Sequence, residues 1–95
     1  MRLYPTEQGG KTKSIGLGWG CPCTTQQTEG AGWVCYDGWP LLGDEQMSPG
    51  DCRRVGYVFL AGNQAVAALS IQATFYLWEG RIIGEATIVE KLISN

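Results

Sequence analysis

The chain contains 95 residues, which is enough for one domain with a single modest core, and residues 1–95 are expected to form it. Apolar residues make up 44% of the chain and include four tryptophans, so the composition is not that of a disordered segment. The net charge of -2 argues against the clustered positive charge with which proteins bind free nucleic acid. No apolar run approaches the roughly 20 residues of a membrane-spanning helix, and the start has no apolar signal-peptide core. A soluble, cytoplasmic protein without membrane contacts is therefore expected.

Fourteen glycines and the lack of a long helical pattern predict an all-β domain of short strands joined by turns. Residues 1–5 form a short β-capable run that a proline ends, and the polar residues 6–13 are expected to be a loop. From residue 14 to residue 23 apolar side chains alternate with glycines, which predicts a strand with one apolar and one almost bare face. The polar residues 24–32 are expected to lead to the next strand.

The middle of the chain is predicted to contain two further strands. Trp33–Tyr36 is a compact β run, and Asp37-Gly38 is typical of a turn. Residues 39–50 contain two prolines and two glycines and are expected to be irregular, whereas residues 51–60 form the clearest single strand. The alanines of residues 61–70 allow a short helix, but the flanking strands favour a loop with an extended piece.

Two runs of β-forming residues at the end of the chain, 71–78 and 81–92, predict a hairpin. Its connection is expected to contain two residues, Glu79-Gly80, with the glycine at a positive φ angle. About six short strands at regular spacing close most simply into a small barrel, which removes exposed strand edges. The expected fold is therefore an all-β, closed, six-stranded antiparallel barrel of the Greek-key type.

Three short motifs resemble, in the same order, parts of the C-terminal β-barrel of translation elongation factor Tu, the third domain of that protein. Phe75–Val89, FYLWEGRIIGEATIV, resembles the last hairpin of the barrel with a turn one glycine shorter. Met47–Asp51 resembles a Met-Pro-Gly-Asp motif with one residue inserted, and residues 2–11 resemble the first strand and a Glu-Gly-Gly-Arg loop. The resemblance covers residues 1–92 and implies a six-stranded antiparallel barrel, here as a stand-alone chain.

The resemblance also implies a role in translation, without GTP hydrolysis. No phosphate-binding G-x-x-x-x-G-K-[ST] motif is present. The turn glutamate of the family contacts the T-stem of tRNA and corresponds to Glu79. The Gly-Tyr-Arg-Pro-Gln segment of the family corresponds to Gly18–Cys23, where its Arg and Gln are missing, and the Arg that precedes the turn glutamate is Trp78 here. These differences weaken the expectation of tRNA binding.

Protein binding is the favoured hypothesis of function. A non-catalytic module would bind another protein, such as a translation factor or a GTPase, through Trp19, Trp78, Glu79 and Arg81. Since a small barrel cannot bury four indoles, Trp78 beside the hairpin tip is expected to be exposed and to anchor a partner. Neither catalysis nor a cofactor is expected, because the sequence contains no histidine and no serine or carboxylate pair with an evident base partner.

Two alternatives use other residues. In the first, Lys11, Arg53, Arg54 and Glu79 contact an RNA stem, with Glu79 accepting a hydrogen bond from a ribose hydroxyl and arginines meeting phosphates. Otherwise Glu79 is a solvated turn residue, and at least one of the two arginines is a solvated strand residue. The second, weaker alternative is a thiol or metal site formed by the four cysteines at positions 21, 23, 35 and 52. Free thiols are the default in a reducing compartment, and C-P-C is not the spacing of structural zinc sites.

Overall fold

The structure is a computed structural model that describes residues 1–26, 30, 33–70 and 73–91. In these residues the chain forms six strands, β1 (Arg2–Leu3), β2 (Cys21–Thr24), β3 (Tyr36–Leu41), β4 (Gly56–Phe59), β5 (Thr74–Trp78) and β6 (Ile82–Thr87). One α-helix, α1, spans Asn63–Leu69, and a short 3₁₀ turn spans Thr6–Gln8. All strand pairs are antiparallel, in the order β1-β6-β5-β2-β3-β4. The expected all-β class is confirmed, and the single sheet curves into a half-barrel.

The core lies on the concave face of this sheet. Alternate residues of a strand point to opposite faces, and β5 follows this rule with Phe75 and Leu77 buried between half-buried neighbours. Completely burying a side chain of this kind contributes roughly 1.5–3 kcal/mol. The buried side chains of the core include Leu3, Ile15, Met47, Phe59, Leu69, Phe75, Leu77 and Ile83. They come from strands, loops and the helix, so separate parts of the described chain contribute to one common core.

Strand β1 has neighbours on both sides although it contains only two residues. Arg2 and Leu3 pair with Glu85 and Gly84 of β6. On the other side, the Leu3 N–H donates to the Asp51 carbonyl at 2.9 Å, and the Arg53 N–H donates to the Met1 carbonyl at 2.8 Å. Residues 51–53, which precede β4, therefore lie beside β1.

The predicted strand over residues 14–23 is wrong for most of its length. Ile15 makes only an isolated bridge with Met47, and β2 begins at Cys21. Between them, Gly18 has a φ angle of +89°, and the Trp19 N–H donates to the Gly16 carbonyl at 3.1 Å. The glycines of this segment form a turn, because only glycine adopts such a φ angle at little cost.

The predicted turn at Asp37-Gly38 is also wrong, because both residues lie within β3. That strand begins at Tyr36 and continues to Leu41, so part of the segment expected to be irregular is extended. A Cβ atom at residue 38 would lie 2.6 Å from the ring of Phe59. Glycine at this position therefore makes room for an aromatic ring of the facing strand and does not turn the chain.

Residues 61–70 contain α1 and not the predicted loop with an extended piece. Ala65 and Leu69 are four residues apart, and both are buried in the core. This spacing places two apolar side chains on one helical face, which packing against the core stabilises. The preceding strand is shorter than predicted, since β4 begins at Gly56 and residues 51–53 pair with β1 instead.

The hairpin of β5 and β6 is confirmed with a longer connection than predicted. Trp78 pairs with Ile82 after a register shift, so three residues, Glu79, Gly80 and Arg81, connect the strands. Gly80 has the expected positive φ angle, +75°. Strand β6 ends at Thr87, and the predicted strand positions 71–72 and 92 lie outside the described residues. The described part of the chain contains no helix that is long and apolar enough to cross a membrane.

Candidate functional site

The turn between β5 and β6 is hydrogen-bonded to two segments that lie far away in the sequence. The Glu79 carboxylate forms an ion pair with the Lys11 ammonium group. Its second oxygen accepts a hydrogen bond from the Trp19 indole N–H at 3.1 Å. The Lys11 ammonium nitrogen also lies 6.0 Å from the centre of the Trp19 ring. Glu79 is exposed, but it is more than a solvated turn residue, because both carboxylate oxygens have partners within the chain.

Arg81 holds the same turn against the loop that follows the 3₁₀ turn. Its guanidinium group donates to the carbonyl oxygens of Gly9 and Gly10, at 2.8 and 2.9 Å. Gly9 has a φ angle of +91°, and a Cβ atom at Gly10 would collide with the Tyr4 carbonyl. Two glycines therefore bring these carbonyls within reach of Arg81. We call Lys11, Trp19, Glu79 and Arg81 the Glu79 cluster.

The electrostatics of the Glu79 cluster favour the charged carboxylate. Partial burial raises the pKa of Glu79, but the hydrogen bonds from Lys11 and Trp19 outweigh this effect and hold the pKa below its usual value. A small depression of about 170 Å³ lies beside the carboxylate and is lined by Thr12, Lys13 and Ile83 in addition to residues of the cluster. The cluster is thus a fixed arrangement of charges at the surface.

Trp78 is half-buried, so the expectation that it is exposed is wrong. Its ring packs edge to face on the ring of Trp33, with the ring centres 5.3 Å apart. Aromatic pairs of this geometry contribute about 0.5–1.5 kcal/mol beyond the burial of their area. Trp19 and Trp39 are also half-buried. Trp78 therefore adjoins the Glu79 cluster along the chain, while its indole packs on the indole of Trp33.

Arg53 and Arg54 do not join Lys11 and Glu79. The Arg53 guanidinium donates to the carbonyl oxygens of Glu45 and Gln46, each at 2.9 Å. Arg54 forms an exposed ion pair with Glu90 at 3.1 Å. The residues proposed for RNA contact thus fall into two groups, since the two arginines line a different depression from the one beside Glu79.

That second depression is a cleft of about 800 Å³, which the sequence analysis missed. It lies between β4, the end of β6 and the start of the chain. Its apolar lining includes Val55, Tyr57, Phe59, Val66, Phe75 and Ile88. Its charged lining consists of Arg2, Arg53, Arg54, Glu85, Glu90 and Lys91. These residues come from separate segments, so only the adjacent pair Arg53-Arg54 gave a signal in the sequence.

The four cysteines do not converge on one site. Cys21 and Cys23 are buried on β2, Cys35 is half-buried and Cys52 is exposed. The Cys23 sulfur lies 3.4 Å from the Tyr57 hydroxyl. The pKa of Cys21 is raised by a hydrogen bond between the Cys21 and Cys23 side chains and by burial. Across the described residues no three His, Cys, Asp or Glu side chains are grouped as a metal site requires. The described residues therefore give no support to the four-cysteine metal site, and the alternative of a thiol site stays a prediction.

Comparison with models of protein families, with curated proteins and with solved structures finds no match to the chain. Function is therefore inferred from the geometry of two places, the Glu79 cluster and the cleft. Both offer hydrogen-bonding groups and apolar surface, which are the means of binding another molecule.

Proposed function

We propose that the protein is a non-catalytic β-barrel module that binds another protein through the Glu79 cluster and the neighbouring turn. The observation that carries this proposal is the convergence of Lys11, Trp19 and Glu79 from three separate segments into one hydrogen-bonded group. A surface that is already ordered loses less conformational freedom on binding than a mobile one. The cluster is such a surface, because internal hydrogen bonds fix its side chains before a partner arrives.

Apolar surface beside the cluster supports a protein as the partner. Residues 16–19 form a turn, closed by the bond from the Trp19 N–H to Gly16, and Leu17 at its tip is 73% exposed. Trp19 itself presents part of its ring. Tryptophan is enriched among the residues that dominate binding energy at protein interfaces.

A fold like the C-terminal barrel of elongation factor Tu is part of this proposal. The pairing of residues 1–3 with residues 51–53 supports closure of the half-barrel, because it joins β1 at one edge of the sheet to the segment that leads into β4 at the other. The final hairpin carries one of the three motifs on which the resemblance depends. The proposed partner is accordingly a translation factor or a translational GTPase in the cytoplasm.

RNA is the less favoured partner. The charge of Lys11 is taken up by Glu79, and Arg53 donates to main-chain carbonyls. A tRNA stem would have to displace these partners before the cations could meet its phosphates, on which RNA affinity mainly depends. Binding of tRNA that weakens with salt would therefore contradict the proposal.

The test compares two substitutions with equal chemistry and nearly equal exposure. Leu17 is 73% exposed beside the cluster, and Leu60 is 75% exposed after β4. The protein and its variants Leu17→Glu and Leu60→Glu are immobilised and incubated with purified translation factors and with fluorescently labelled tRNA. We expect one translation factor to bind the unaltered protein and Leu60→Glu but to bind Leu17→Glu at least tenfold more weakly.

Two results would overturn the proposal. Equal binding of the factor to both variants would show that the turn beside the cluster is not the contact surface. Binding of tRNA that falls steeply with salt and is lost on reversing the charges of Arg53 and Arg54 would show that RNA is the partner.

A further inference from the structure

The cleft lies between β4 and the end of β6, where the described residues contain no strand. Strand β1 pairs with Glu85 and Gly84 of β6, and Ala86 and Thr87 lie beyond these pairs. Among the described residues no strand pairs with the side of β4 that faces away from β3. The space that the described residues leave between β4 and the end of β6 continues the line of β1, and the cleft opens there.

Backbone groups on both walls of the cleft point toward this space. The Ile88 N–H donates to the Ala73 carbonyl of the preceding segment, at 2.7 Å. In an antiparallel pair successive residues direct their backbone groups to opposite sides, so the backbone of Thr87 faces the cleft. On the other wall, the Leu60 N–H donates to the Asp37 carbonyl. The same alternation directs the backbone of Tyr57 away from β3 and into the cleft.

The floor of the cleft is apolar and large enough for several side chains. Phe75 and Ile88 form part of it, and Tyr57 and Phe59 lie in stacked contact with ring centres 5.1 Å apart. Val66 of α1 contributes from the side. The volume of about 800 Å³ is within the range of roughly 300–1,000 Å³ that is usual for ligand sites.

Positive charge is concentrated around the cleft although the whole chain is acidic. Four of the seven Lys and Arg residues line it, against two of the nine Asp and Glu residues. The remaining chain therefore holds three basic and seven acidic residues. The ion pair between Arg54 and Glu90 joins the two walls and is exposed on both sides, so a competing carboxylate can reach Arg54.

We propose that the cleft binds an extended peptide segment of a partner protein, in which acidic and apolar residues alternate, as an added strand in line with β1. This inference rests on the proposed function as a protein-binding module, but it concerns a surface separate from the Glu79 cluster. The peptide backbone pairs with Thr87 on one wall and Tyr57 on the other. Its apolar side chains enter the floor, and its carboxylates meet Arg54 and Lys91 at the rim. Main-chain pairing gives such a complex affinity, and the alternate side chains give it specificity.

The experiment uses arrays of hexapeptides and the full-length protein. One array alternates Asp or Glu with Val, Ile, Leu or Phe in all combinations, and a matched array carries Lys or Arg at the acidic positions. We expect the best acidic peptides to bind at least tenfold more tightly than their basic counterparts. Hydrogen exchange at the amides of Tyr57 and Thr87 should slow at least tenfold on addition of the best acidic peptide.

Two variants with the same change of charge locate the site. Arg54→Glu reverses a cation of the rim, and Lys13→Glu reverses an exposed cation that lies beside the Glu79 cluster instead. Arg54→Glu should weaken the acidic peptide at least fivefold, and Lys13→Glu should leave its binding within twofold. A third variant, Ile88→Lys, should abolish binding of the acidic peptide. If Arg54→Glu keeps the urea midpoint of the unaltered protein, its weaker binding is not due to misfolding.

Several results would overturn the inference. The acidic and basic arrays could bind equally, or Arg54→Glu and Lys13→Glu could have equal effects. Either result would show that the cations of the cleft do not select an acidic peptide. Decanoate or a labelled RNA hairpin could bind in a way that depends on Arg54 while no acidic peptide binds. That result would assign the cleft to another class of ligand. Because Leu17→Glu tests the Glu79 cluster and leaves the cleft unchanged, failure of the cleft and failure of the proposed function are distinguishable.

Discussion

The substitution Gly84→Ala tests the close packing of β1 on β6. A Cβ atom at residue 84 would lie 2.6 Å from the carbonyl oxygen of Arg2 and 3.3 Å from the Cα atom of Leu3. Because both contacts are with the backbone of the neighbouring strand, rotation of a side chain cannot relieve them. Cβ contacts shorter than 3.0 Å essentially do not occur. Strand β1 must therefore move by about 0.4 Å, the difference between this limit and the 2.6 Å to the Arg2 carbonyl oxygen.

That movement disturbs hydrogen bonds on both sides of β1. The bond from the Tyr4 N–H to the Ile83 carbonyl, now 2.9 Å, lengthens as β1 leaves β6. On the other side, β1 is pressed against the segment to which Leu3 donates, at the Asp51 carbonyl. Forcing one additional carbon into a well-packed region typically costs about 1–3 kcal/mol. We therefore expect the free energy of unfolding to fall by about 2 kcal/mol.

The assay is urea unfolding followed by tryptophan fluorescence, with Gly16→Ala as the control. At residue 16 a new Cβ atom would meet only the flexible side chain of Gln46, at 3.6 Å. That variant should be neutral or more stable by up to about 1 kcal/mol, because alanine restricts the unfolded chain. Hydrogen exchange at the Tyr4 amide should be faster in Gly84→Ala alone. Equal urea midpoints for the two variants, with unchanged protection of Tyr4, would refute the proposed packing of β1.

Three further predictions concern the Glu79 cluster, a thiol and the helix. Because the pKa of Glu79 is lowered in the folded state, its ion pair with Lys11 contributes stability above the usual carboxyl pKa, and this contribution is lost as the pH falls through the folded pKa. Glu79→Gln should therefore cost less than about 1 kcal/mol in urea unfolding at pH 7 and less at pH 3 than at pH 7, and an equal cost at both would contradict the ion pair. Cys52 is exposed while Cys21 is buried, so Cys52→Ser should remove the fastest phase of reaction with a thiol reagent, and an unchanged fast phase would place the reactive thiol elsewhere. Leu69→Ala should lower the free energy of unfolding by about 2–5 kcal/mol, whereas a loss below about 1 kcal/mol would show that α1 does not pack on the core.

The elements that the sequence predicted correctly are those whose side chains alternate between core and surface. The final hairpin belongs to this group, since Phe75 and Leu77 are buried and their neighbours are not. Gly38 misled the prediction, because a glycine next to an aspartate is typical of a turn, whereas here it accommodates the ring of Phe59. The need for glycine at residue 38 comes from Phe59, which lies 21 positions later in the sequence. Local sequence patterns do not reveal a contact at this separation.

The candidate site was predicted in part. Trp19, Glu79 and Arg81 were selected for contact with a partner, and the structure brings them together with Lys11, but their polar groups bond mainly to one another or to nearby carbonyls. The cleft was not predicted because its walls come from separate segments. Only the folded topology shows that Arg2, Arg54 and Lys91 surround one space.

The uneven distribution of charge around the cleft has a consequence for the kinetics of association. An acidic molecule repels an acidic partner at long distance, but its electric dipole turns the positive side toward that partner as they approach. Encounters would therefore be oriented before contact, and the association rate would fall with ionic strength more than the dissociation rate rises. At physiological salt the field extends about 8 Å from the surface, so the steering acts only over the last molecular layers of water. The cations that line the cleft would thus also raise the frequency of productive encounters with an acidic partner.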